Sequence, residues 1–217
     1  MSQIHPLMRR WLAVPLAALL PLVAGCASKQ PPVPPVLDLA GIDCVATPDL
    51  ASATPLTFDE KKTTAVTTTV DAMTGCLKTD AGVSTYEVYR LPDTDQPYIY
   101  EVASIPQGKV MFGPKVEILD QDGNELKEVS RDSFLFRSAA LSVQRRSNTD
   151  ERYLLVMSDP TLVGQTLKRL SANVDRSVAT TGLFTFTVYN GSDQSVDLVF
   201  AHNGKLTVSV WALPVSN

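Results

Sequence analysis

The sequence is poor in histidine and contains none of the common catalytic motifs. Two of its 217 residues are histidines, and one of them, His5, lies close to the N-terminus. A metal site or a mechanism that needs several imidazoles is therefore excluded within one chain. The second, His202, is predicted to lie in a turn, and no Gly-x-Ser-x-Gly, His-Glu-x-x-His, Walker or Gly-x-Gly-x-x-Gly motif is present. We expect no enzyme activity, no catalytic residue, no cofactor and no metal site, with an unrecognised hydrolase as the alternative.

An excess of basic residues is also absent. The formal charge is −4, from 19 basic and 23 acidic side chains, and 44% of the residues are hydrophobic. Two of the basic residues, Arg9 and Arg10, lie within the first 25 residues, which contain no acidic residue, so the rest of the chain is more acidic still. Phosphate backbones and anionic lipids would repel such a surface, and we expect no nucleic-acid partner.

The longest apolar run lies at the N-terminus. It extends from Trp11 to Val23, directly after Arg9 and Arg10. This run is shorter than the roughly 20 residues that a membrane-spanning helix needs. A basic start, a short apolar run and a small-residue ending are typical of a secretory signal, so residues 1–25 are predicted to be a signal peptide.

The end of this signal, Ala24-Gly25-Cys26, resembles the bacterial lipoprotein box. The resemblance implies that Cys26 becomes the lipidated first residue of the mature protein, and Ala27 after it favours the outer membrane over the inner one. The alternative is ordinary cleavage and release into the periplasm. We expect a periplasmic lipoprotein that reaches its membrane through the lipid on Cys26.

Prolines are concentrated in residues 26–55, which are predicted to form a spacer without a packed core. The stretch from Pro31 to Pro35 should be extended and stiff, at about 3.1 Å per residue. The folded domain is predicted to comprise residues 56–217.

Two cysteines remain once Cys26 is assigned to the lipid. An even pair in a compartment that oxidises thiols predicts a disulfide between Cys44 and Cys76. A redox pair and a metal-thiolate site are the alternatives, but neither a Cys-x-x-Cys motif nor a histidine partner accompanies the two cysteines.

After Pro55 the hydrophobic residues alternate with a period of two, which is typical of half-buried strands. The predicted strands are Thr64–Val70, Thr85–Leu91, Tyr98–Ala103, Lys115–Leu119, Phe134–Val143, Arg152–Met157, Leu183–Tyr189, Val196–Ala201 and Lys205–Trp211. Turn-forming residues separate several of them, as at Asn190–Asp193. We predict an all-β antiparallel sandwich whose strand order resembles the jelly-roll modules of secreted hydrolases, many of which bind glycans.

Two segments depart from this pattern. Residues 161–173 follow a capping sequence, Ser158-Asp159-Pro160, and carry apolar residues at helical spacing, so they are predicted to form one short helix. The Asp120–Glu125 loop is rich in carboxylates, but its glycine is fourth rather than sixth as in an EF-hand loop. We expect a plain turn there, with a calcium site at the sandwich edge as the alternative.

One run of sequence indicates a family. The residues Phe112–Gln121, with Tyr89 and Pro92 before them and Tyr153–Val156 after them, look like the maltose operon periplasmic protein family. The likeness spans roughly residues 86–174. The resemblance implies an accessory envelope protein, not an enzyme, that is associated with maltodextrin uptake and carbohydrate transport.

We therefore predict a non-catalytic glycan-binding module with an α-glucan as partner. Trp211 is the first candidate for stacking on a sugar ring, since it is the one tryptophan outside the leader and it ends an alternating strand. Tyr98 and Tyr100 are the second, because a spacing of two places them on one face of a strand.

The alternative is a structural or assembly lipoprotein whose sandwich binds another envelope protein. A sugar platform needs exposed rings side by side, whereas an assembly module needs an exposed apolar patch or a free strand edge. The positions of the aromatic rings and the strand edges therefore decide between the two functions.

Overall fold

The computed structural model describes residues 36–180 and 185–214, so the predicted signal peptide and Cys26 lie outside the described residues. Strands dominate this part of the chain, and the helical elements within it are two single-turn 3₁₀ segments, Leu50–Ser52 and Arg131–Ser133. The strands are β1 Thr54–Pro55, β2 Thr64–Val70, β3 Cys76–Thr79, β4 Gly82–Arg90, β5 Tyr98–Ile105, β6 Val110–Phe112, β7 Pro114–Leu119, β8 Glu125–Glu128, β9 Leu135–Arg137, β10 Ala140–Arg146, β11 Tyr153–Ser158, β12 Thr166–Thr180, β13 Thr185–Ala201 and β14 Gly204–Ala212.

Three sheets are formed by these strands. The first sheet has the order β1-β4-β11-β7-β8, with β3 also paired to β4. The second sheet has the order β2-β14-β5-β10-β9. The third has the order β12-β13-β6 and is built mainly from one long hairpin. Most pairs are antiparallel, and the exceptions are β1 with β4 and β13 with β6.

The first and second sheets pack face to face around the main core. Alternation along β14 shows how the sequence produces this arrangement, because Leu206, Val208 and Val210 are buried while Thr207 and Ser209 between them are partly exposed. Tyr89, Ile118 and Leu154 of the first sheet meet these residues across the core. The predicted all-β sandwich is confirmed.

The outer face of the first sheet is covered by the segment before β1. Leu39, Cys44 and Ala53 are buried, and Ala53 packs against Leu77 and Leu155. The domain therefore begins well before residue 56, where the sequence placed its start. The physical reason is that the outer face of the first sheet carries apolar residues that need a cover.

The disulfide between Cys44 and Cys76 is confirmed, and the Cα atoms of the two residues lie 4.8 Å apart. It joins this covering segment to the first residue of β3. A backbone pair beside it, in which the Val45 amide donates to the Cys76 carbonyl, continues the attachment.

The helix predicted at 161–173 is wrong. One turn forms after Asp159, and Gly164 then takes a positive φ of 83°, which a continuing helix cannot accommodate. From Thr166 onward the backbone pairs with β13, and this pairing overrides a helical spacing that the sequence alone favoured.

The turn predicted at Asn190–Asp193 is wrong for the same reason. The two strands predicted on either side of it form one continuous strand, β13, and its register with β12 passes through Gly191 without a shift. Asparagine and glycine permit a turn, but fifteen consecutive residue pairs with β12 keep this segment extended.

Candidate functional site

Two of the three predicted sugar-binding residues lie in the sandwich core. Tyr98 is 3% exposed and Tyr100 is 1% exposed. The Tyr100 hydroxyl donates to Glu151 at 3.3 Å, and burial, reinforced by the charge of Glu151, raises the pKa of both phenols above its ordinary value. The two tyrosines share a face, as their spacing predicted, but it is the inner face, so they cannot form an exposed platform.

The third candidate, Trp211, lies on the outer face of the second sheet and is partly exposed. Its cross-strand neighbour is Ile99, and the next row of the same face contains Ser209, Glu101 and Gln144. No aromatic side chain that the structure describes is more than partly exposed. Trp211 therefore has polar neighbours that could bind sugar hydroxyls but no second exposed ring beside it.

A polar cleft of about 850 Å³ lies at one end of the sandwich, between residues 92–98 and 146–152. Its most buried carboxylate, Glu151, is 5% exposed. Glu151 accepts hydrogen bonds from the backbone and side-chain nitrogens of Asn148 and from Tyr100. These hydrogen bonds use the carboxylate to hold the loop, because a buried carboxylate needs hydrogen-bond donors around it. The cleft thus contains a structural carboxylate.

A serine that the sequence did not connect with His202 lies beside it. The Ser158 Oγ atom is 2.7 Å from the His202 Nδ1 atom, and it accepts a hydrogen bond from the Thr85 amide. Burial lowers the pKa of His202. Ser158 is completely buried, so its hydroxyl is not accessible to a substrate, and the pair joins β11 to the turn before β14.

Gly204 brings this same turn against β6. Its φ is +156°, and a Cβ atom added there would lie 2.7 Å from the backbone nitrogen of Phe112. No side chain fits at that distance, so glycine is required for the turn at His202 to close on β6.

The loop at Asp120 is a turn, as predicted. The Asp120 carboxylate accepts hydrogen bonds from the backbone amides of Asp122 and Asn124, and Gly123 has a positive φ of 85°. The hydrogen bond from the Asn124 side chain lowers the pKa of Asp120. In the described part of the chain, no group of three or more His, Cys, Asp or Glu side chains is placed to hold a metal ion.

The feature that sequence reasoning missed is the hairpin of β12 and β13, here called the ribbon. The two strands pair over fifteen residues, from Thr166 with Val199 to Thr180 with Thr185. Outside this pairing, β13 contacts a third strand through Val199–Ala201 alone, and the structure describes no partner for the other edge of β12. The ribbon therefore has two free edges of unpaired backbone groups.

The base of the ribbon is attached firmly to the sandwich. Leu198 and Phe200 are buried with Met111 of β6. The Arg169 guanidinium lies 5.3 Å from the centre of the Phe136 ring and donates to the Ser138 carbonyl at 2.8 Å. Among the described residues, β13 is the only strand that pairs with β12.

The hydrogen bonds at the base establish which backbone groups face outward. The Phe200 amide donates to Gln165, toward β12, whereas the Val199 amide donates to Lys109, away from it. Residue pairs in an antiparallel ladder alternate between hydrogen-bonded and non-hydrogen-bonded pairs, and Val199 belongs to the second kind. The β12 residues that pair with Val199, Asp197 and Ser195 therefore also direct their backbone N–H and C=O groups away from the hairpin. In β12 these are the even-numbered residues from Thr166 to Thr180.

Comparisons with protein-family models and with curated proteins find no match for this chain. No helix within residues 36–180 and 185–214 is both long and apolar enough to cross a membrane.

Proposed function

We propose that this chain is an assembly protein of the bacterial envelope, anchored to the outer membrane by a lipid on Cys26, and that its ribbon binds another envelope protein. One observation carries the proposal, namely that the described structure leaves the ribbon two free edges, of which that of β12 is open over all fifteen residues. An exposed strand edge pairs readily with any extended segment, and natural proteins usually shorten, cover or bend such edges. A long free edge is thus the feature expected of a protein that binds by strand addition.

The buried tyrosines support assembly over sugar binding. A sugar platform needs adjacent exposed rings, and of the three predicted sugar-binding residues Trp211 alone is partly exposed. An assembly module needs a free strand edge, which the ribbon has. The lipid and the spacer complete the proposal, since they would hold the domain in the periplasm near its membrane-bound partners.

Site-specific photo-cross-linking in intact cells tests this proposal. We expect p-benzoylphenylalanine at Ser177 of β12 or Thr187 of β13 to form adducts with a second envelope protein, identified by mass spectrometry. The matched control is Thr67, which lies on the exposed outer face of β2 and should form none. Equal labelling from Thr67 and from the ribbon positions would contradict an assembly role for the ribbon.

A second candidate is α-glucan binding, as an accessory to maltodextrin uptake. The partly exposed Trp211 favours it, because Glu101 and Gln144 in the next row provide hydrogen-bonding groups beside the ring. Glu101 already accepts from Ser142 and Gln144, which fixes its carboxylate in place.

For this candidate we expect maltoheptaose to change the tryptophan fluorescence of the mature protein in a saturable way. The Trp211→Phe variant, with its tyrosine fluorescence followed instead, should bind more weakly because phenylalanine offers a smaller stacking surface. Thr67→Ala, on the same outer face, is the control and should bind normally. If no glucan length perturbs the unaltered protein at millimolar concentration, the sugar-binding candidate is rejected.

A further inference from the structure

We infer that the ribbon makes this protein a dimer, in which β12 pairs antiparallel with β12 of a second copy. The inference rests on the proposed function, because it names one partner of the same ribbon. Pairing at β12 leaves the β13 edge of each copy open, and that edge is then the one at which another envelope protein can add a strand.

The first argument is the shape of the ribbon. Beyond Arg169, the part of the chain that the structure describes shows two strands alone, from the pair of Leu170 with Ser195 to the pair of Thr180 with Thr185. At about 3.3 Å per residue this part is roughly 35 Å long. An isolated two-stranded hairpin is marginal in water, whereas three or more strands stabilise one another. Joining two ribbons at β12 produces a four-stranded sheet.

The second argument decides which edge is used. At the base, the β13 edge is already occupied, because Val199–Ala201 pair with β6 and the Lys109 carbonyl accepts from Val199. The β12 edge has no such neighbour from Thr166 to Thr180 in the described structure. Its fifteen residues include neither proline nor glycine, the residues that interrupt strand pairing most strongly. The β12 edge is therefore the more open of the two.

The third argument is that the outward-facing backbone groups of β12 match those of a second β12 in antiparallel register. A two-fold axis at Asn173 places Ala172 opposite Val174 of the partner subunit, and Thr166 opposite Thr180 of the partner subunit. Every even-numbered residue then faces another even-numbered residue, so each outward backbone group meets one of the opposite kind. The whole of β12 takes part, and no two charged residues stand directly opposite each other. The β12 edge is thus complementary to itself, as an interface with two-fold symmetry requires.

A disulfide cross-link tests this geometry in the full-length protein. The Asn173→Cys variant, made in cells with an oxidising periplasm, should form a covalent dimer on a non-reducing gel. The two Cα atoms of residue 173, one on each side of the axis, would lie about 4.5 Å apart, within the range that a disulfide spans. The matched control is Ser192→Cys, since Ser192 pairs with Asn173 and lies at the same height on the other edge. We expect about tenfold more covalent dimer from the first variant than from the second.

A variant that blocks strand pairing distinguishes a cross-link formed within the paired β12 strands from one formed by random collision of two copies. Ala172→Pro, added to Asn173→Cys, removes one outward amide of β12 but no hydrogen bond to β13, and proline is tolerated at such edge positions. It should abolish the cross-link, while an intact Cys44–Cys76 bond and an unchanged melting temperature show that the protein is still folded. A cross-link that survives Ala172→Pro would overturn the pairing.

Two other outcomes would overturn the dimer. The first is a stronger cross-link at Ser192→Cys, which would place the contact at the β13 edge. The second is no cross-link from either variant, together with unaltered lipoprotein that sediments as a monomer in detergent. In that second case, photo-adducts between the ribbon and a different envelope protein would leave the proposed assembly function standing. Absence of those adducts as well would reject the function too.

Discussion

The Cys26→Ala variant is expected to lose its fatty acid and to leave the membrane fraction almost completely. Under the proposed anchoring, the lipid on Cys26 supplies nearly all of the membrane affinity, because the acidic remainder of the chain is repelled by anionic lipids. The measurement is metabolic labelling with an alkyne fatty acid, followed by separation of membranes from periplasmic extract.

The control for this experiment is the double variant Cys44→Ala/Cys76→Ala. It keeps Cys26 and should be labelled and recovered with membranes as the unaltered protein is. Fatty-acid labelling of Cys26→Ala, or its undiminished recovery with membranes, would contradict the proposed anchor.

Removing the disulfide should produce the largest loss of stability. The bond joins residues 32 positions apart, and for a loop of this size the chain-entropy model assigns about 3–4 kcal/mol to the cross-link. The Cys44→Ala/Cys76→Ala variant should therefore unfold at markedly lower urea concentration than the unaltered protein, with a lower melting temperature. Reductant should shift the unaltered protein in the same direction and leave the variant unchanged.

Thiol alkylation under native conditions provides the independent check. Protein isolated from cells without reductant should show no free thiol at Cys44 or Cys76 before it is unfolded and reduced. Two freely alkylated cysteines, or equal urea midpoints for the variant and the unaltered protein, would be incompatible with the bond.

The sandwich strands could be predicted because their residues alternate between a buried and a partly exposed face. Thr64–Val70 was predicted to be a strand and is β2, and the alternation of Leu206, Val208 and Val210 marked β14 equally well. These strands lie in sheets that bury one face, so the alternation within each segment is enough to predict that it forms a strand.

The ribbon could not be predicted in the same way. Its two strands are stabilised mainly by pairing with each other, which depends on residues up to 33 positions apart along the chain, as for Thr166 and Val199. Local signals pointed elsewhere, since helical spacing at 161–173 and turn residues at Asn190–Asp193 are both compatible with the sequence. Gly164 was the one local sign against a helix, because glycine readily takes the positive φ that ends a helical turn, as it does here.

The tyrosine face illustrates a finer limit. The spacing of Tyr98 and Tyr100 predicted correctly that they share a face, but spacing alone does not say which face is inside. Their neighbours do contain a signal, because Val102 shares their face while Glu101 lies on the other one. Glu101 is the one charged residue of β5, and its position on the other face indicates that the tyrosines lie in the core.

The Cys44–Cys76 bond also determines how the domain bears mechanical load. Under the proposed function, tension between a lipid on Cys26 and a partner held by the ribbon would reach a covalent cross-link of the domain at Cys44. From there it passes through the disulfide into β3, so the loop from Val45 to Gly75, which includes β1 and β2, is bypassed and is not stretched. Without the bond, the same tension would peel Val45 from β3 and then pull the two-residue strand β1 away from β4.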